Sequence, residues 1–226
     1  MLFGILPVYA VIAFLCFIPA IVIHEVSHGF VAHLLGDPTA KKQGRLSLNP
    51  LSHIDPFGTV VLPLILAFVG GPVFGYAKPV PYNPSHFKNV RVGELLTGLA
   101  GPASNIIMAA LTVVIAYLVA TFAPQAPFWL FTVFYYFIFI NLVLAFFNLI
   151  PLPPLDGASI IALFLPDKAL RQYYQIQQYA LPILLILMFM GPYIFGFNPI
   201  SVYLGATAGN LADWAFSLVP LPGPLL

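Results

Sequence analysis

The chain has 226 residues, of which 61% are hydrophobic and only 7% charged, and its formal net charge is +1. A soluble domain carries about 25% charged residues, so this composition excludes a water-facing globular surface, and the near-balanced charge excludes a nucleic-acid interface. The single cysteine, Cys16, excludes an internal disulfide and a cysteine-based metal site, and its place in an apolar run makes it helix filling.

In chain order, residues 3 to 35 form the first apolar stretch, interrupted only by Glu25 and histidines. It is long enough to cross a hydrocarbon core of about 30 Å. It lacks a basic leader and runs into His24-Glu25 instead of a small-residue cleavage site, so it reads as a retained span and not a signal peptide. Gly36-Asp37-Pro38 ends it, and a polar loop follows through Lys41, Lys42 and Arg45 to His53, Asp55 and Pro56. The next apolar run, 57–74, contains Pro63 and Gly70-Gly71, which make it a short, breakable helix expected to re-enter the membrane without crossing. Residues 76–94 hold Pro79, Pro81 and Pro84 and favour extended backbone.

No charged residue occurs from 95 to 155, and Ala123-Pro124-Gln125-Ala126-Pro127 divides this stretch into two span-length helices, a membrane hairpin. The second, about 130–165, is broken at Asn148-Leu149-Ile150-Pro151-Leu152-Pro153-Pro154-Leu155-Asp156-Gly157 because prolines deny the helix its donors. A further apolar stretch covers about 178–197, and the tail 200–219 carries Asn210 and Asp213, which suits either a span or an interfacial helix. The expected fold is an all-α polytopic membrane protein with about five to six membrane segments, forming a single membrane-embedded domain over 1–226.

The chemistry lies where polar groups enter apolar spans. His24-Glu25-Val26-Ser27-His28 is a His-Glu-x-x-His motif. On a helix, positions i and i+4 share a face, so both imidazoles can bind one metal, while Glu25 sits beside that face as a general base acting on water. An acid flanked by two histidines inside a span marks a functional site. The competing reading makes these polar groups satisfied by neighbouring helices. Catalytic zinc usually takes three protein ligands, and Asp156 is the leading third, being the only acid between Glu94 and Asp167. The broken helix allows it to turn inward, although a helix-capping role is the alternative. His53 is a rival third ligand, but a loop histidine beside Asp55 is more often an ordinary polar contact. Asn105, set among Gly98, Gly101 and Ala103, either joins helices or orients a ligand. Asn148 either holds the proline loop or assists at the site. His33 lies five residues after His28, about 140° round the helix, and faces elsewhere.

Three blocks, HEVSHGF, GLAGPASN and NLIPLPPLDG, resemble in order and spacing the site-2 protease family of intramembrane zinc metalloproteases. The loops LNPLSHIDPFGT and GYAKPVPYNP are similar to those of compact prokaryotic members without PDZ or CBS domains. The resemblance implies one zinc ion per chain held by His24, His28 and Asp156, with Glu25 as catalytic acid/base and Asn148 in the Asn-Pro-Asp-Gly signature. It also implies single-span membrane proteins as substrates and a prokaryotic plasma membrane as location.

All eight Lys/Arg fall in 41–45, 78–91 and 168–171. With a re-entrant 57–74 and one broken span over about 130–165, these clusters share the cytoplasmic face. His28 and Asp156 then lie at similar depth, roughly 10 to 14 Å from that face at 1.5 Å per residue. A substrate helix must unwind before cleavage, and residues 76–84 or the re-entrant stretch offer an edge for an extended segment. Two other function classes compete: a metal transporter using His and Asp as transient ligands, and an inactive membrane scaffold. Glu25 discriminates, since neither requires a base beside the two histidines.

Overall fold

A computed structural model describes residues 2–62, 65, 68, 76–175 and 177–221. The elements formed by the described residues are all helical, without strands, and their order follows the apolar runs of the sequence. Helix α1 (Leu2–Leu34) is followed by the single turn α2 (Thr39–Lys42). Short turns at Pro50–His53, Pro56–Val61 and Pro84–His86 punctuate the proline-rich region, each opened by an Asn or Asp side chain that accepts the first free backbone N–H groups. The paired long helices α3 (Val90–Phe122) and α4 (Phe128–Asn148) come next, then α5 (Ala158–Phe164), α6 (Asp167–Gln175), α7 (Gln177–Phe189), α8 (Gly191–Phe195), α9 (Pro199–Leu204) and α10 (Asn210–Ser217).

Three of these are long and apolar enough to cross a membrane: Val8–Leu34, Val90–Phe122 and Phe128–Asn148. Most of 57–74 lies outside the described residues, including 63–64, 66–67 and 69–74, and its described start, Pro56–Val61, is a wide helical turn. The tail adopts a run of helix from Pro199 to Ser217, widened at Gly205–Gly209, that packs along α3 and α4. The expected break in 130–165 is present: α4 stops at Asn148 and α5 begins at Ala158.

Close packing of the long helices follows from a stripe of small residues. On α3, Gly93, Thr97, Gly101, Asn105 and Ala109 recur every four residues and are all buried, as are Thr112, Ala116 and Ala120 further along. Residues four apart share a helix face, and small side chains there let neighbouring backbones approach closely in lipid, where van der Waals contact and interhelical hydrogen bonds replace the hydrophobic drive. Ile138 and Leu142 of α4 pack against Ala109, with Ala208 and Ala212 of the tail closing the cluster. Tyr9 of α1 stacks on Tyr136 of α4 at 5.9 Å.

At one end of this bundle the basic segments meet. Arg45 donates to the carbonyls of Lys78 and Pro79 at 2.8 and 3.3 Å. Arg91 donates to the Leu165 carbonyl and the Asp167 carboxylate, both at 2.5 Å, tying the start of α3 to the α5–α6 corner. The turn at 123–127 is separated from this end by the length of α3, about 50 Å at 1.5 Å per residue.

Candidate metal centre

Inside the bundle, α1 presents His24 and His28 one turn apart, 2% and 9% exposed. Asp156 reaches them from the proline segment between α4 and α5. That segment is folded on itself by Gly157 N–H donating to the Asn148 carbonyl at 2.6 Å and by the Ser159 hydroxyl donating to the Asp156 carbonyl at 2.7 Å. It docks at Gly98 of α3, where an added Cβ would come 2.5 Å from Ser159 Oγ and 3.2 Å from the Asp156 carbonyl oxygen. The absence of a side chain at Gly98 is therefore what admits the segment that carries Asp156.

The three groups converge. Nε2 of His24 lies 3.2 Å from Oδ2 of Asp156, Nε2 of His28 lies 3.4 Å from Oδ1, and the two Nε2 atoms are 3.1 Å apart. The other ring nitrogens determine what these contacts are. His28 Nδ1 is 2.7 Å from the Thr97 carbonyl, which can only accept, and His24 Nδ1 is 2.6 Å from Asn105 Oδ1. The Asn105 amide is itself oriented, because its nitrogen donates to Asn141 Oδ1 at 2.8 Å and to the Ala20 carbonyl at 3.3 Å. Asn141 is oriented in turn by donating to the Phe137 carbonyl at 2.8 Å. The network thus assigns a proton to Nδ1 of both histidines. With the rings neutral, as metal ligands must be, the Nε2 lone pairs would face each other and a carboxylate, and Asp156 Oδ2 is buried without a hydrogen-bond partner.

Two ring nitrogens and a carboxylate converging on one point suit a bound cation. Tetrahedral zinc ligands about 2.0–2.1 Å from the metal sit about 3.3 Å from one another, and the observed spacings of 3.1, 3.2 and 3.4 Å match. Two imidazoles with Nδ1–H bound to an oxygen acceptor, plus one carboxylate, also form the donor set expected of catalytic zinc. The residues present fit the metal. Among the described residues this is the one group of three or more His, Cys, Asp or Glu arranged to hold an ion.

Glu25 stands one position along α1 and is not in this group; its Oε2 accepts the backbone N–H of Val80 at 3.0 Å. His53 is buried elsewhere, its Nε2 against the Ser47 carbonyl at 2.8 Å, and is not brought to the metal group. The Asn148 side chain turns back to the Leu144 carbonyl at 3.0 Å, while its backbone carbonyl closes the proline segment. Three contributors escaped sequence reasoning. Asn141 carried a signal, an amide in an otherwise apolar span like Asn105. Thr97 contributes only its backbone carbonyl, which no side-chain pattern reveals. Gly101 abuts the pair so closely that a Cβ there would lie 2.5 Å from His28 Nε2 and 2.6 Å from His24 Cε1.

Residues 119–191 match the profile of Peptidase family M50. YwhC of Bacillus subtilis (strain 168), which its name assigns to the zinc metalloproteases, is 42% identical over 177 residues, covering 76% of this chain and 78% of that protein. Rip2 of Mycolicibacterium smegmatis, named to the same class, is 28% identical over 200 residues, 84% of this chain and 74% of the relative. Rip2 of Mycobacterium tuberculosis (strain H37Rv) is 30% identical over 77% of this chain and 64% of its own length. No solved structure matches. The chain belongs to the site-2 protease family, peptidase family M50, and is a zinc-dependent metalloprotease integral to a membrane.

Proposed function

We propose that the protein hydrolyses peptide bonds of transmembrane protein substrates within the bilayer, using one zinc ion per chain held by His24, His28 and Asp156. The observation that carries this reading is the convergence of Nε2 of His24, Nε2 of His28 and the Asp156 carboxylate, beside Glu25, among three span-length helices. Bound zinc would supply Lewis-acid activation of water and polarisation of the scissile carbonyl.

The chain's own residues do the rest. Thr97 and Asn105 hold the Nδ1 protons, fixing both rings with Nε2 inward. Glu25 Oε1 takes the proton of the attacking water and passes it to the departing amine nitrogen, so that one water is consumed and a carboxyl and an amine are released. The extended stretch at 78–82 runs beside Glu25 and is our candidate edge for the unwound substrate segment. With the three basic clusters gathered at one end of the bundle, the site lies nearer the cytoplasmic face of a prokaryotic plasma membrane. The whole chain, 1–226, acts as one domain.

The test is cleavage of a panel of single-span proteins by detergent-purified protein, with and without a zinc chelator, alongside Glu25→Gln. The variant should retain about one zinc per chain and lose roughly 100-fold or more of its activity, the share ordinarily carried by general acid–base catalysis. Zinc loss together with activity would make Glu25 a ligand, and activity within a few-fold of wild type would remove it from the chemistry.

A further inference from the structure

The stretch from Lys78 to Tyr82 crosses α1 at the motif and is held there by contacts from four directions. Arg45 donates to the carbonyls of Lys78 and Pro79. Lys78 N–H donates to the His53 carbonyl at 2.8 Å, and Asn83 N–H donates to the buried carboxylate of Asp37 at 2.6 Å. Val80 is 4% exposed and seats its side chain at Gly29, where an added Cβ would lie 2.5 Å from Val80 Cγ1 and 2.8 Å from Leu46 Cδ2. Pro79 and Pro81 flank it, and proline has no N–H. The Val80 amide is therefore the one backbone donor of the 79–81 stretch, and it points at Oε2 of Glu25, 3.0 Å away and 55 residues earlier in the chain.

We propose that the Val80 amide is a positioning group for Glu25: it anchors one carboxylate oxygen and presents the other to the reacting water. The inference rests on the assignment of Glu25 as the base. A glutamate has three side-chain torsions and sweeps several ångströms when unanchored, whereas proton transfer requires it within hydrogen-bond reach of its target. Among the described residues no hydrogen bond is taken by Oε1, so one oxygen is fixed and the other is available. The anchor itself is rigid, because flanking prolines restrict the backbone and Gly29 accepts the valine side chain as a notch accepts a key. His53 and Arg45 acquire a purpose in this arrangement, as the residues that hold the stretch at the height of the carboxylate.

Two measurements test the proposal. Hydrogen exchange on zinc-free protein reads the contact without reference to activity. The Val80 amide should exchange about tenfold or more slowly in wild type relative to Glu25→Ala, with Glu25→Gln between them because its amide oxygen still accepts. Equal exchange in wild type and Glu25→Ala would overturn the contact, whatever the fate of the protease reading. The second compares Val80→Pro, which deletes the donor, with Val80→Ala, which keeps the donor and trims the packing. Val80→Pro should lower kcat by about 100-fold with KM within about threefold and zinc retained, whereas Val80→Ala should stay within about tenfold of wild-type kcat. Equal losses in the two variants would assign the effect to packing and overturn the positioning role, as would a Val80→Pro kcat near wild type. If Val80→Pro fails to fold, Gly29→Val, which displaces Val80 from its notch, replaces it: unchanged kcat and unchanged exchange at Val80 would refute the proposal. Activity surviving in Glu25→Gln would instead show that the base assignment itself has failed.

Discussion

His24 and Asn105, 81 residues apart in the chain, are joined at 2.6 Å by a hydrogen bond from imidazole Nδ1 to the amide oxygen. In the neutral ring this bond leaves Nε2 as the nitrogen free to bind a metal, and Asn141 keeps Asn105 from flipping. Such outer partners typically affect metal affinity 10–100-fold. Asn105→Leu should therefore weaken zinc binding by about that factor, and Asn141→Leu by less, because Asn105 retains its bond to Ala20. Zinc affinity by competition with a chelator checks this, and an Asn105→Leu, Asn141→Leu double variant no worse than Asn105→Leu alone would show that the two act in series.

Gly101→Ala separates folding from metal binding. Glycine to alanine inside a helix normally stabilises by about 0.5–1 kcal/mol. Here the new methyl would stand 2.5 Å from His28 Nε2, against the rings proposed to hold the metal. The zinc-free variant should remain folded, with helical circular dichroism like wild type, yet bind zinc at least about 10-fold more weakly. Undiminished zinc content after dialysis would show that the histidines can yield.

Asp156→Ala should strip zinc and proteolysis together, since it removes one of the three proposed ligands, and Asp156→Glu should retain some metal in a displaced position. His53→Ala should leave zinc content at wild type, its ring being bonded to the Ser47 carbonyl and not part of the metal group. Elemental analysis after dialysis distinguishes the pair, and zinc retained in Asp156→Ala but lost in His53→Ala would overturn the site.

Asp37 gives the stability of the α1–loop joint a pH dependence. Burial alone pushes its carboxyl up, but the Thr39 hydroxyl, the amides of Asn83 and Thr39, and His86 all favour the charged form and bring it down to about 2. The unfolded value is about 3.9. A carboxyl lowered on folding contributes stability that is present above the unfolded value and is lost as pH falls through the folded one. Thermal unfolding in detergent should therefore shift down between about pH 4 and about pH 2, and Asp37→Asn should flatten that step while lowering stability at neutral pH. An identical acid limb in Asp37→Asn would place the effect elsewhere.

Orientation is measurable with single cysteines at Ser47, Ser85 and Gln172 in a Cys16→Ser background. An impermeant thiol reagent should reach all three only from the cytoplasmic side, and a cysteine in the 123–127 turn only from the opposite side. Labelling of positions 47 and 85 from different sides would mean that 57–74 crosses the membrane.

Much of this protein was legible without coordinates because the relevant physics is local. Scarcity of charge forces the chain into lipid, i and i+4 spacing places His24 and His28 on one face, and clustered prolines break the helix at Asp156, whatever the rest of the chain does. The choice of Asp156 over His53 was only arguable from sequence, since both are polar residues near helix ends, and their partners in the fold are what separate them: Asp156 meets both histidine rings, whereas the His53 ring meets the Ser47 carbonyl. Tertiary structure alone decided the second layer: the Thr97 carbonyl under His28, the Asn141–Asn105–His24 relay, the notch at Gly101 and the Val80 amide on Glu25. Each of these joins segments far apart in sequence through a backbone atom, a missing side chain or an amide whose direction is set by its neighbours. None leaves a periodic trace in composition, because the contact exists only once α1, α3, α4 and the proline-rich loop have been packed to within hydrogen-bonding distance.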